Sequence, residues 1–130
     1  LREIPLPRTA ARPRRVVVTS DGDVWYGDYA GGVLGRYRPA DGSFSEWPLP
    51  RGAGALPYGM AVDDKDRIWL AETGVTPNRL VGFDPATQKF LASFSIPSGG
   101  NVIRHMMFHG PTRAIWCGAD SGTIGRLQIP

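Results

Sequence analysis

Cysteine is almost missing from this chain of 130 residues. Cys117 stands alone, which excludes an internal disulfide framework and a multi-Cys metal site; it follows Trp116 inside an apolar run and is expected to be buried. Lysine is nearly as scarce. Only Lys65 and Lys89 are lysines among 15 basic side chains, so the formal net charge of +3 is carried by arginine, the residue suited to planar, bidentate recognition of carboxylate or phosphate. No run approaches the roughly 20 consecutive apolar residues that cross a bilayer as a helix. The chain is therefore expected to be soluble, cytoplasmic or periplasmic, with no membrane partner. Apolar residues at helical spacing are lacking too, and so is any low-complexity segment.

Glycine and proline, by contrast, are plentiful. Seventeen Gly and 12 Pro break helices and suit short strands joined by turns. With 42% hydrophobic residues the chain can bury one core, so one domain is expected. The stretch from Leu56 to Glu72, LPYGMAVDDKDRIWLAE, sets the plan: a Pro-aromatic-Gly opening, a short apolar strand, an acidic turn, and a second strand carrying a Trp. Related stretches run from Arg12 to Asp28 and from Val102 to Asp120. Trp25 and Trp69 lie 44 residues apart, Pro13 and Pro57 also 44, and Trp69 and Trp116 47. A period of about 40 to 50 residues with a Trp in the second strand is that of four-stranded propeller blades.

The expected fold is all-β: a partial β-propeller of about three four-stranded antiparallel blades. One domain spans 1–130, with a blade-closing strand at 1–7 and blades at 12–50, 56–97 and 102–130. In the first blade the strands are read at Arg15 to Thr19, from Val24, at Val33 to Arg38 and at Ser43 to Pro48, with SDGD and PADG as turns. LREIPLP at the start is akin to SEWPLP (Ser45 to Pro50) and SFSIP (Ser93 to Pro97), each of which closes a repeat. IGRLQIP, from Ile124 to Pro130, stops where a fourth strand is due, so the two ends together supply the parts of one unit. A first residue that is Leu, not Met, points to residues upstream. Three blades leave two apolar faces open, and a fragment that self-associates through those faces is expected. Trp25, Trp69 and Trp116 occupy one repeat position and are read as blade-to-blade packing. Because the aromatics fall at packing positions, no nucleic-acid partner is expected.

Pro57-Tyr58-Gly59, Ile68-Trp69-Leu70-Ala71-Glu72, Leu34-Gly35-Arg36, Ile124-Gly125-Arg126 and the closing segments Glu46-Trp47-Pro48-Leu49-Pro50 and Ser95-Ile96-Pro97 together resemble the repeat of the virginiamycin B lyase family, the streptogramin lyases. The resemblance covers almost the whole chain, as roughly the last three blades of a seven-bladed propeller. It implies an antibiotic-inactivating enzyme that opens streptogramin B depsipeptides by elimination at the ester linkage, using Mg²⁺ and a catalytic His. In that family the His follows the Pro that opens an innermost strand. Here the residue after that Pro is Arg14 in the first unit and Tyr58 in the second, and the nearest imidazole in the third is His105, which precedes Trp116 by 11 residues as Arg14 precedes Trp25.

The resemblance thus implies His105 as general base, with Tyr58 beside it, and Asp120 and Glu72, just past the Trp strands, as acidic Mg²⁺ ligands. His109 is a weaker candidate next to a turn. A second reading is non-catalytic. If the innermost strands begin at Arg14, Tyr58 and Arg104, then Arg14, Arg15 and Arg104 crowd the mouth of the channel, where like charges call for an anionic small-molecule or protein ligand.

Overall fold

In the computed structural model, which describes residues 1–130, eleven strands form three antiparallel sheets in sequence order. The first blade is β1 (Pro13–Val18), β2 (Val24–Asp28), β3 (Val33–Arg38) and β4 (Ser43–Pro48). The second is β5 (Pro57–Val62), β6 (Ile68–Glu72), β7 (Arg79–Asp84) and β8 (Lys89–Ser95). The third has three strands only, β9 (His105–His109), β10 (Ala114–Ala119) and β11 (Thr123–Gln128). The molecule is all-β, a partial propeller, as the repeat predicts. β3 and β4 match the expected spans, while β1 starts two residues earlier, at Pro13. No helix is long and apolar enough to cross a membrane.

The strand expected at 1–7 does not form. Residues 1–12 carry no strand; Arg2, Ile4 and Leu6 lie instead against Val24, Tyr26, Tyr37 and Phe44 of the first blade.

The first strands of the blades, β1, β5 and β9, stand side by side and are the innermost. Every core lies between blades. One gathers Trp25, Leu34 and Leu49 of the first blade with Met60, Ile68, Leu70 and Phe83 of the second; the other gathers Trp69, Leu80 and Ile96 of the second with Ile103, Met106, Ile115 and Cys117 of the third. The pleat explains this. Residues alternate faces along each strand, so Trp25 looks forward onto the second blade while Tyr26 looks back, and Trp69 looks forward while Leu70 looks back. Trp116 keeps that orientation, opposite Met107 and Arg126, and looks onto an open face with His105 and Ile124.

Side chains at the turns lock the Trp strands. The Trp69 indole N–H donates to Asp63 Oδ2 at 2.9 Å, and that carboxylate also accepts the Lys65 and Arg67 backbone N–H groups and the Arg67 guanidinium. In the first blade Thr19 Oγ1 plays this part for Trp25, at 3.1 Å. In the third blade the place of Thr19 and Asp63, counted from the strand pairing, is taken by His109, whose Nδ1 lies 2.8 Å from Thr112 Oγ1 instead.

Candidate functional site

Three innermost strands bring one repeat position together at the mouth. The residues opposite the three Trp side chains are Val17, Ala61 and Met107. Counted back three places from each, Arg14, Tyr58 and Arg104 are equivalent. The Arg14 guanidinium lies over the Tyr29 ring at 4.6 Å and over the Tyr58 ring at 5.6 Å, and Arg15 lies 5.5 Å from the Tyr58 ring. Tyr29 meets Tyr58 edge-on at 5.9 Å, and Arg15 Nε donates to the Arg104 carbonyl at 2.9 Å. Arg104 pairs with Asp120 at 2.6 Å. Neither Arg14 nor Arg15 takes part in an ion pair, and Arg14 Nε is buried without a hydrogen-bond partner. Two guanidinium groups therefore sit close together with aromatic faces, not carboxylates, as their neighbours. Such stacking offsets their repulsion only by about 0.5–1 kcal/mol per contact at an exposed site, which leaves the mouth electropositive.

Tyr29 is absent from the sequence reading. Its signal was available: Tyr29 lies four residues past Trp25, as Asp120 lies four past Trp116. The backbone N–H groups of Tyr29, Thr73 and Asp120 donate to the carbonyls of Arg12, Leu56 and Val102 in turn, so the three share one place in their blades. Two aromatics, Tyr29 and Tyr58, do stand among the arginines, contrary to the expectation that aromatics serve packing alone.

His105 is elsewhere. The span from Met107 to Trp116 is one residue longer than from Val17 to Trp25 or from Ala61 to Trp69, because Gly110–Thr112 makes a 3-10 turn where the other blades have a tighter one. Counting back from the Trp therefore slips by one, and a slip of one residue exchanges the faces of a strand. Arg104, not His105, matches Arg14 and Tyr58. His105 shares the open face with Met107 and Trp116, away from the Tyr pair. His109 is exposed at the turn, its Nδ1 within 2.8 Å of Thr112 Oγ1.

The residues do not fit the implied magnesium site. Glu72 is fully buried (0% exposed). Its Oε1 accepts the Arg79 guanidinium at 2.5 Å and its Oε2 the Arg51 backbone N–H at 3.1 Å, so it holds the chain crossing between blades. Asp28, its counterpart in the first blade, does the same for Arg8 and for the Arg12 N–H. Asp120 is committed to Arg104, and no group of three or more His, Cys, Asp or Glu gathers to hold a metal ion. A metal would have to displace buried protein donors from Glu72, at a large desolvation cost.

No protein-family model and no curated relative matches the chain. Solved structures do. A virginiamycin B lyase from Staphylococcus aureus superposes with a TM-score of 0.77 at 22% identity, over 99% of this chain and 45% of its own. A catalytically inactive form of that enzyme with quinupristin gives 0.72 at 24% identity, over 96% and 44%. The WD40 repeats of RRP9 give 0.73 at 13% identity, over 98% and 41%. The chain thus spans less than half the length of each structure. Residues 1–130 have the fold of about three blades of a propeller of the kind seen in virginiamycin B lyase.

Proposed function

We propose that these blades present part of an electropositive propeller mouth that binds a small anionic molecule, a carboxylate or phosphate ester with an apolar or aromatic body. The observation that carries this reading is Arg14: a guanidinium held over Tyr29 and Tyr58, with no acidic partner and a buried Nε free of any acceptor. Arg15 and Arg104 flank it. The anionic head would take the arginine donors and the body would lie along the tyrosine rings. Further blades would complete the mouth in a closed ring.

The test is calorimetric titration with inorganic phosphate and phenyl phosphate. Phenyl phosphate is expected to bind the more tightly. The Arg14→Gln, Arg104→Gln double variant is expected to lose roughly ten- to a hundredfold in affinity, as befits the loss of charge-assisted hydrogen bonds worth about 1.5–3 kcal/mol. Unchanged affinity in the double variant sinks the reading.

A second reading, lyase action on a streptogramin B ester, is favoured by the likeness to the virginiamycin B lyase structures, one of them with quinupristin. It needs a base, and the imidazole nearest the mouth, His105, looks the other way. Incubation with quinupristin and Mg²⁺ followed by chromatography separates the readings. Ring opening that His105→Ala abolishes supports the lyase, and anion binding without ring opening supports the binding module.

A further inference from the structure

The polar groups left free at the mouth are donors. Arg14 makes no hydrogen bond and no ion pair, and its Nε is buried. Arg15 uses its Nε alone, on the Arg104 carbonyl at 2.9 Å. A guanidinium carries five N–H groups and no acceptor, so nearly all the donors of the two side chains remain free. The hydroxyls of the half-buried Tyr29 and Tyr58 likewise have no partner, whereas that of Tyr26 donates to Glu46 Oε1 at 3.1 Å. The acceptors close by are taken: Asp120 holds Arg104 at 2.6 Å, and Asp28 holds Arg8 and the Arg12 N–H.

Both free guanidinium groups lean toward the second blade, which has a neighbour on each side within the chain. Arg14 leaves β1 and lies 5.6 Å from the Tyr58 ring of β5; Arg15 passes 5.5 Å from the same ring and ends on the third blade, at the Arg104 carbonyl. Arg104 is neutralised by Asp120, so the charges left to a ligand are those of Arg14 and Arg15. A monoanion would compensate one of them and a dianion both. The number of acceptor oxygens points the same way. A carboxylate offers two in one plane, the match of a single guanidinium fork. A phosphate monoester offers three terminal oxygens arranged tetrahedrally, and is a dianion above a second ionisation near pH ~6; it can serve two forks at once.

We infer that the mouth selects phosphate monoesters in their dianionic form over carboxylates and phosphate diesters, an inference that rests on the anion-binding reading and narrows it. Arg14 is the residue that sets this specificity. Its Nε is shielded from water and has no acceptor, so an oxygen delivered to it relieves an unsatisfied buried donor, and its outer nitrogens share the phosphoryl group with those of Arg15. A diester of the same body lacks the second charge, and a carboxylate lacks both the second charge and the third oxygen.

The test is calorimetric titration of the whole chain with three probes that share one ring: phenyl phosphate, methyl phenyl phosphate, which carries a single charge, and benzoate. Near pH ~7.5 phenyl phosphate is expected to bind at least roughly tenfold more tightly than either of the others, the effect of one charge-assisted hydrogen bond. It should weaken roughly five- to tenfold on going to about pH 5, where its second charge is lost, while methyl phenyl phosphate stays constant. Arg14→Lys keeps the charge without the fork and is expected to bring phenyl phosphate within roughly threefold of methyl phenyl phosphate. A nucleoside monophosphate and a phosphotyrosine peptide, titrated alongside, tell a free ester from a protein-borne one; tighter binding of either supports the inference and assigns the source. Equal affinity for the three ring probes, lost in the Arg14→Gln, Arg104→Gln double variant, overturns the selectivity and leaves the anion-binding reading standing. Failure of all three to bind overturns both. The selectivity also falls if phenyl phosphate ignores pH or if methyl phenyl phosphate follows it, and full selectivity in Arg14→Lys overturns the role given to Arg14.

Discussion

Replacing Asp63 by Ala should cost this chain about 3–5 kcal/mol, a large part of the roughly 5–15 kcal/mol that a domain has in total. The side chain is buried and receives four hydrogen bonds, from the Trp69 indole, the Lys65 and Arg67 backbone N–H groups and the Arg67 guanidinium. The two backbone groups lie in a surface turn and can turn to water. The indole is fully enclosed (Trp69 0% exposed), and an orphaned buried donor costs about 1–3 kcal/mol. Loss of the partner for the Arg67 guanidinium, largely shielded at 14% exposure, supplies the rest. Asn keeps the shape and one acceptor and should cost about half as much. Burial alone pushes the Asp63 carboxyl up, but the hydrogen bonds from Trp69, Lys65 and Arg67 outweigh it and hold the carboxyl below the usual range. A depressed folded value means stability that is complete above the unfolded value, about 3.9, and is lost as pH falls through the lower folded value. Urea unfolding followed by Trp fluorescence across this range checks both parts. A loss under about 1 kcal/mol in Asp63→Ala, or equal acid sensitivity of wild type and Asp63→Asn, would refute the reasoning.

Two further outcomes follow from the same structure. Glu72→Gln should lower stability by about 2–4 kcal/mol, since it strips Arg79 of its partner, and millimolar Mg²⁺ should leave the melting temperature of wild type and variant alike unchanged; a Mg²⁺-dependent rise that the variant abolishes would restore Glu72 as a ligand. Trp69→Ala should cost about 3–5 kcal/mol, whereas Trp116→Ala, measured at concentrations where the chain is monomeric, should cost less than about 1 kcal/mol because its forward face is uncovered. Equal losses would mean that Trp116 is buried against something within the chain.

The blades were legible because strand signals here are local. β-branched and aromatic runs, bounded by DG and PA turns, placed β3 and β4 to the residue, and the Trp period placed the blades. The mouth was half legible. Arg14, Arg15, Arg104 and Tyr58 come together as the innermost-strand reading requires, but His105 was placed there by counting from a Trp across a turn that is one residue longer. No count along the sequence reveals a slip that only strand pairing defines. Glu72 and Asp120 read as metal ligands for a related reason. A carboxylate just past a strand looks the same in sequence whether it faces solvent, a metal or, as here, the Arg79 guanidinium and the Arg51 N–H. Leu1–Pro7 has the composition of a strand, and whether it becomes one depends on an edge that lies outside its own neighbourhood.

Because both cores straddle a boundary, no blade of this molecule has an interior of its own. The unit that must stay matched over evolutionary time is a pair of facing halves: the forward side of one sheet, with Trp25 and Leu34, and the rear side of the next, with Met60, Leu70 and Phe83. Recombination that exchanges whole blades would cut through two such pairs and mismatch both. Recombination that breaks the chain within a sheet, between its rear-facing and forward-facing residues, is impossible because the two alternate along every strand. A propeller of this kind is therefore constrained across each seam, where a substitution in one repeat has to be accommodated by its neighbour.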